Sequence, residues 1–175
     1  MDLVNIFIIV GAVIFVLVLW GIVGFRHLKH LKLDSENQWE VLDEKIRKRQ
    51  DLVPLLVESF RRHVSGQEQL VEQLIAQRAI ASKESMPTAN KIAYEHDISD
   101  TLEKLFEIAK VNPDILKDTV FLEVKSEMAG VFDSAKSEVK KYNEIIRRYN
   151  SHRDFLILKP ISRSFKYGVL NIFDI

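Results

Sequence analysis

The sequence contains no cysteine, only six glycines and four prolines, and as many acidic as basic side chains, 25 of each. The absence of cysteine excludes disulfides, thiolate metal ligands and a cysteine nucleophile. The scarcity of glycine and proline argues against a turn-rich architecture of many strands. Because the net charge is zero, we expect no nucleic acid partner.

An uncharged apolar segment occupies the N-terminus. It runs from Leu3 to Phe25 and reads LVNIFIIVGAVIFVLVLWGIVGF. At ~1.5 Å per residue, a helix of this length crosses a hydrocarbon core of about 30 Å. Asp2 stands where a signal peptide carries basic residues, and no A-x-A cleavage site follows. The segment therefore predicts a retained anchor in the lipid bilayer.

Basic residues follow the anchor directly, at Arg26, Lys29 and Lys32. The N-terminal side offers only the α-amino group. Because Lys and Arg flanking a membrane span stay on the cytoplasmic side, we predict a single-pass protein with its N-terminus outside and its C-terminal domain in the cytoplasm.

Long amphipathic segments fill the remainder of the chain. From Asn37 to Val64, large apolar residues recur at steps of three and four and form one stripe, which is interrupted at Arg49 or Gln50. A second stripe runs without interruption from about Thr119 to Arg153. At Ser65-Gly66 the first helix could either continue or fold back. Because a single glycine costs a helix only about 1 kcal/mol, we favour a continuous helix.

Shorter helices are predicted between these two. Lys83 to Ala89 contains Pro87 and is predicted to be a loop. Asn90 to Lys110 carries another apolar stripe, which Asn112-Pro113 brings to an end. We therefore predict an all-α fold, in which an N-terminal transmembrane helix precedes an antiparallel bundle of three to four long helices.

Three regions follow from this pattern. Residues 1–33 form the anchor and basic juxtamembrane segment, 34–154 the helical bundle, and 155–175 an apolar and basic C-terminal tail. Such a tail suits an anionic membrane surface or a neighbouring subunit. It suits equally well a segment that folds back onto the bundle core.

Two motifs mark the ends of the helical pattern. The first contains Asn37, Trp39, Leu42, Arg49 and Pro54, and the second contains Tyr142-Asn143 followed by Tyr149-Asn150. Behind an N-terminal anchor, these motifs resemble the LemA family of bacterial membrane proteins, from the anchor to about residue 173. The resemblance implies a four-helix bundle at the bacterial inner membrane, without established enzyme activity. It also implies a candidate partner, a membrane zinc protease of the heat-shock class.

Candidate catalytic and metal-binding residues are few. His27 and His30 lie on one helical face with a spacing that could hold a metal, but their position beside the anchor favours a place among lipid headgroups over a metal site. Where the family resemblance implies a His-Glu pair, this sequence has Gln67-Glu68. No HExxH, phosphate loop or nucleophile elbow occurs. We therefore expect no catalytic, cofactor or metal site.

Polar residues in the helical stripes invite structural interpretations. Arg49 is expected to pair with Asp43 or Asp51 in a polar layer that fixes the register of the bundle. Asn143 and Asn150 lie on one helical face. They are expected either to hydrogen-bond the returning tail or to form a surface for a partner helix.

The leading hypothesis is a non-enzymatic scaffold or adaptor that self-assembles as a homo-oligomer. It depends on apolar residues that lie off or beside the main stripes, since monomers seldom expose such patches. These residues are Leu52, Leu55, Val57, Ile75 and Ile145. The alternative is a membrane-bound metal-dependent hydrolase that uses Glu68, Glu95 and His96, or an accessory subunit of a membrane zinc protease.

Overall fold

The computed structural model describes residues 3–83, 88–155, 159 and 164–173, and all regular structure in these ranges is helical. The prediction of an all-α fold is confirmed. The elements are α1 (Leu3–His63), α2 (Glu68–Ala81), α3 (Thr88–Lys110), a 3-10 turn (Ile115–Lys117) and α4 (Thr119–Arg153). The observed bounds of α4 match the predicted range.

Helix α1 contains both the apolar N-terminal segment and the first helix of the bundle, without a break between them. Its N-terminal part is long and apolar enough to cross a membrane. The large side chains there, from Val4 to Val23, are exposed. Since a core helix would bury such side chains, this part of α1 does not have the character of a core helix.

The preference for a continuous helix through Gly66 is wrong. Helix α1 ends at His63, and Gly66 has a φ of +80°, in the left-handed region that glycine alone adopts readily. The turn brings α2 against α3, with Val71 and Leu74 buried. Burial of two such side chains contributes about 1.5–3 kcal/mol each. This exceeds the cost of about 1 kcal/mol that one glycine imposes on a helix, the term on which the prediction relied.

The chain divides into two compact units. The smaller comprises residues 1–38 and 142–172, and the larger comprises 39–141 and 173–175. Helices α1 and α4 each contribute a segment to both. The division into anchor, bundle and tail at residues 33/34 and 154/155 stays a prediction.

Within the larger unit, the four helices run alternately up and down. Side-chain pairs fix the directions: Asp43 and Arg49 of α1 meet Lys91 and Glu95 of α3 in the same order, so these two helices run parallel. Helix α2 runs against both. Helix α4 also runs against α1, since its N-terminal end lies beside Ser59, near the C-terminal end of α1. This arrangement is that of an up-down-up-down bundle.

The α1 stripe supplies much of this unit's core. Leu42, Val53, Leu56 and Phe60 are at most 1 % exposed. Trp39 lies on the same stripe of α1 but is only half-buried, with its ring edge-on to Phe173 at a centroid distance of 6.3 Å.

The residues expected beside the main stripes differ in exposure. Val57 is buried, against expectation, because it packs in the same core as Phe60. Leu55 and Ile75 remain exposed. Leu52 and Ile145 are half-buried.

The connections between helices follow the predicted breakers. Part of the predicted loop, including Pro87, lies outside the described residues, and α3 begins at Thr88. After α3, the Asn112 side-chain oxygen accepts a hydrogen bond from the Asp114 amide at 3.2 Å. The Asn112 amide donates to the His63 carbonyl at 3.3 Å. The predicted end of the helix at Asn112-Pro113 is therefore confirmed.

We predict that Phe60→Ala destabilises the full-length protein in detergent by about 3–5 kcal/mol, because it leaves a cavity in an enclosed core. Denaturant unfolding followed by circular dichroism measures the loss. Leu55→Ala, at an exposed position on the same helix, is the matched control and should change stability by less than about 0.5 kcal/mol. Equal losses for the two variants would contradict the core assignment.

Candidate functional site

The interruption of the α1 stripe is the site of a buried ion pair. Arg49 places one guanidinium nitrogen 2.9 Å from Glu95 Oε2 of α3, and the same nitrogen donates to Ser99 Oγ at 3.0 Å. Both charged side chains are less than 10 % exposed. The expected partners, Asp43 and Asp51, are wrong. The partner is Glu95, forty-six residues further along the chain.

Gln50 donates a hydrogen bond to the second oxygen of the Glu95 carboxylate. Its side-chain amide donates to Glu95 Oε1, while its main-chain carbonyl accepts from Arg78 Nε of α2 at 2.7 Å. Both carboxylate oxygens are therefore occupied by donors from α1. A small cavity of about 10 Å³ beside Arg49 and Glu95 has room for about one water molecule.

Burial raises the pKa of the Glu95 carboxyl above its usual range. The Arg49 charge and the hydrogen bonds from Gln50 and Arg49 oppose that rise, and the nearby Asp43 charge adds to it. Desolvation is the largest of these effects. The carboxylate is accordingly held by its two donors rather than by solvent.

A second ion pair links the same two helices. Lys91 Nζ of α3 lies 3.0 Å from Asp43 Oδ1, and Arg47 Nε donates to the other oxygen at 2.9 Å. Helix α4 contributes Phe132, whose ring lies under the Arg49 guanidinium at 5.2 Å from its centroid. We call Asp43, Arg49, Gln50, Lys91 and Glu95 the ionic layer.

Asp118 forms a separate polar cluster where α4 begins. Its Oδ1 accepts from the backbone amides of Val120 and Phe121, as an N-cap does. Its Oδ2 accepts from Ser59 Oγ at 2.6 Å and lies 2.9 Å from His63 Nε2. These bonds, that from Ser59 first, lower the pKa of the Asp118 carboxyl to about 2. The cluster joins the C-terminal end of α1 to the N-terminal end of α4.

The three residues of the hydrolase alternative occupy different environments. Glu95 is buried in the ionic layer, whereas His96 and Glu68 are exposed. Glu68 accepts a hydrogen bond from the Gly66 amide at 3.2 Å. Among the described residues, no three His, Asp or Glu side chains come close enough to hold a metal ion.

In the smaller unit, the second motif holds the returning tail. The Asn150 side chain donates to the Leu170 carbonyl at 2.8 Å and accepts from the Leu170 amide at 3.1 Å. Tyr149 Oη donates to the Gly168 carbonyl at 3.0 Å, and Arg153 Nε donates to the Tyr167 carbonyl at 3.0 Å. For Asn150, the structure therefore favours the tail-binding interpretation.

We call the hydrogen bonds from Tyr149, Asn150 and Arg153 to residues 167–170 the tail clamp. Apolar contacts reinforce it. Tyr149 is fully buried with Leu28 and Leu31 of α1, and Tyr167 and Leu170 pack against this cluster. Burial, as the largest effect, raises the pKa of the Tyr149 hydroxyl. The tail thus pairs with α4 through its backbone and with α1 through its side chains.

A sequence profile of the LemA family matches residues 38–175. The chain belongs to the LemA family. No curated protein matches it.

The matched region of this LemA protein includes the ionic layer, the Asp118 cluster and the tail clamp. Of the first motif, Leu42 and Arg49 are buried, Trp39 is half-buried, and Asn37 and Pro54 are exposed. Of the second, Tyr142 and Tyr149 are buried, while Asn143 and Asn150 are half-buried.

Sequence reasoning missed Lys91 and Asp118. Lys91 carried no usable signal, because a lysine between apolar positions of an amphipathic helix reads as a solvated residue. Asp118 had a signal in its position immediately before the apolar pattern of α4, which is typical of an N-cap.

We predict that Arg49→Ala destabilises the protein by about 3–5 kcal/mol, because it leaves the Glu95 carboxylate buried without its cation. Replacement of both partners, as Arg49→Met with Glu95→Met, should recover most of that loss. Denaturant unfolding at neutral pH measures both. A double variant that is as unstable as Arg49→Ala would contradict the assignment.

The pH dependence of the same pair has a definite sign. Because the folded-state pKa of Glu95 is raised above 4.5, the folded protein retains a proton there that the unfolded chain loses. This group's contribution to the free energy of unfolding therefore falls as pH rises from about 4.5 through the folded pKa. The difference between wild type and Glu95→Gln isolates the effect.

Proposed function

We propose that this LemA protein is a non-enzymatic scaffold or adaptor, anchored in the bacterial inner membrane and self-assembling through its helical bundle. The observation that carries the proposal is a groove on the larger unit. The non-enzymatic part is supported by the ionic layer, whose charged groups are occupied by one another and by Gln50.

The groove lies between α1 and α2 and has a volume of about 510 Å³. Its lining is largely apolar, with Pro54 and the exposed Ile75, and it includes three arginines. Two of these already have an acidic neighbour, since Arg62 lies 3.4 Å from Glu58 and Arg78 lies 3.6 Å from Asp51. Its lining residues are Val53, Pro54, Val57, Glu58, Arg61, Arg62, Ile75 and Arg78. The arginines make this groove suited to an acidic surface of a partner.

The same chain presents such a surface on α3, whose apolar face is packed in the bundle core. The exposed face of α3 presents four acidic residues at steps of three and four, which places them on one side. They are Asp97, Asp100, Glu103 and Glu107. We call them the acidic stripe. Its charge complements the arginines of the groove, which makes a second copy of the chain the partner that this surface fits best.

A contact between groove and stripe joins two different surfaces. Such a head-to-tail contact propagates into rings or open chains instead of closing as a symmetric dimer. A membrane anchor confines the copies to two dimensions and raises their effective concentration, so a weak contact suffices.

We predict that reversal of charge on either surface weakens self-association by about tenfold or more, because like charges then face each other. The groove variant is Arg61→Glu with Arg62→Glu, and the stripe variant is Asp100→Lys with Glu103→Lys. Co-expression of the two variants should restore association, because each groove then meets a stripe of opposite charge on the other variant. Mass measurement in gentle detergent at low salt reports the assembly, since salt screens exposed charges.

Lys140→Glu, at an exposed position of α4, is the control for a change in net charge. It should leave the mass at the wild-type value. A monomeric wild type would exclude self-assembly. An assembled wild type whose mass neither variant changes would exclude this interface.

We also propose that the N-terminus lies outside the cytoplasmic membrane and the bundle inside. The support is the basic cluster Arg26, Lys29 and Lys32, which follows the apolar part of α1, because Lys and Arg next to a span favour the cytoplasmic side.

We therefore predict that protease added to intact spheroplasts leaves residues 34–175 undigested, whereas lysis exposes them. Immunodetection of a C-terminal tag reads out the result. Digestion of these residues before lysis would show that the orientation is the opposite of the one proposed. A cytoplasmic protein followed in the same samples confirms that the spheroplasts were intact.

A further inference from the structure

Aromatic residues of the C-terminal region contact the end of the apolar segment of α1. The Phe155 ring lies edge-on to Trp20 with centroids 5.5 Å apart, and the Phe165 ring lies 4.9 Å from that of Phe25. Tyr167 also contacts Phe25, at 5.6 Å. All of these residues belong to the smaller unit. The described parts of the tail therefore flank the last turns of the apolar segment.

The level of these contacts along α1 matches that of a membrane interface. Trp20 precedes Arg26, the first basic residue, by six positions, or about 9 Å along a helix. Elements that lie in a membrane interface bury their apolar face to a depth of about 5–10 Å. Phe155 and Phe165 therefore contact α1 on the apolar side of its first basic residue, within the depth that such elements reach.

Exposure shows that the protein alone does not cover these rings. Phe155 is 50 % exposed and Phe165 is 63 % exposed, although both are apolar. Phe165 also borders a groove of about 490 Å³ on α1 that is apolar except at Arg26. Its α1 lining is Ile14, Leu17, Val18, Gly21, Ile22, Phe25 and Arg26.

Charge selects the partner. Exposed basic side chains surround these aromatic contacts, on α1 at Arg26 and Lys29 and in the tail at Lys159 and Lys166. The Lys32 ammonium lies over the Tyr167 ring at 5.3 Å. Apolar rings beside cations are suited to an anionic phospholipid surface, where the rings enter the interface and the cations face phosphate groups.

We propose that the tail is a second membrane contact, in which Phe155 and Phe165 insert beside the anchor into a bilayer rich in anionic phospholipid. The proposal depends on the membrane anchoring of α1, but not on self-assembly. It brings Phe155 and Phe165 to the same leaflet as the last turns of the anchor, while the clamp of Tyr149 and Asn150 holds residues 168–170 on α4.

The absence of cysteine allows a single fluorescent label at any position. Full-length Ser164→Cys carries a bimane label, in nanodiscs of equal parts phosphatidylcholine and phosphatidylglycerol with a nitroxide lipid as a shallow quencher. We expect strong quenching at Ser164, and little at Ser137→Cys on the exposed face of α4. The same label at Val10→Cys, in the anchor, should be quenched by a lipid that carries its nitroxide deep in the bilayer.

Two changes test the chemistry. Phe155→Ala with Phe165→Ala should lower quenching at Ser164 several-fold, whereas Val111→Ala, at another exposed apolar position, should not. Lys159→Gln and Lys166→Gln should each reduce the equilibrium constant for insertion about fivefold, the factor that ~1 kcal/mol per charge represents. Nanodiscs of phosphatidylcholine alone, which carry no net charge, should show the same loss of quenching at Ser164.

The outcomes separate this proposal from the proposed function. Quenching at Val10 without quenching at Ser164 overturns the tail contact and leaves the anchor intact. Absence of quenching at Val10 refutes the membrane anchor itself. Quenching at Ser164 that is independent of lipid charge overturns the anionic assignment. Self-quenching that rises with copies per disc, without lipid quenching, assigns the tail to a second copy.

Discussion

The buried pair of Arg49 and Glu95 is the constraint on which the bundle depends. Removal of two charges from water costs several kcal/mol per ion, so the helices must meet where every donor and acceptor finds a partner. The guanidinium satisfies one Glu95 oxygen and Ser99, and Gln50 satisfies the other oxygen. The pair itself adds little net stability. Its effect is that arrangements which separate the two residues are strongly disfavoured.

The tail clamp solves the corresponding problem for an extended segment. Backbone amides and carbonyls outside a helix need partners wherever water is excluded. The Asn150 side chain supplies both a donor and an acceptor to Leu170, so one amide replaces the backbone of a neighbouring strand. Tyr149 and Arg153 satisfy two further carbonyls, those of Gly168 and Tyr167. An extended tail can therefore pack on α4 without a sheet.

Periodicity predicted the helices well because it is a local property. The uninterrupted stripe of α4 gave its bounds, and the stripe of α1 gave Leu42 and Phe60 as core residues. The same signal cannot indicate which residue of another helix lies opposite. Arg49 was therefore recognised as a polar layer but assigned a partner on its own helix, whereas burial favoured a partner across the core.

The prediction of a continuous helix through Gly66 was wrong for a related reason. The glycine cost is local and small, whereas the gain from folding α2 back is tertiary and appears only when α3 is in place. The tail clamp was predicted in part. The spacing of the two Tyr-Asn pairs showed a shared face, but one segment of sequence could not distinguish a returning tail from a partner helix.

The ionic layer also explains how near-repetitive stripes adopt one register. Apolar residues at heptad spacing match almost as well after a slip of seven residues. In α1, the positions seven before and seven after Arg49 are Leu42 and Leu56. A slip in either direction would place a leucine opposite the buried Glu95 and leave its carboxylate without a cation. Because an unpaired buried charge costs about 3–5 kcal/mol, only the observed register satisfies both the apolar stripe and the acid.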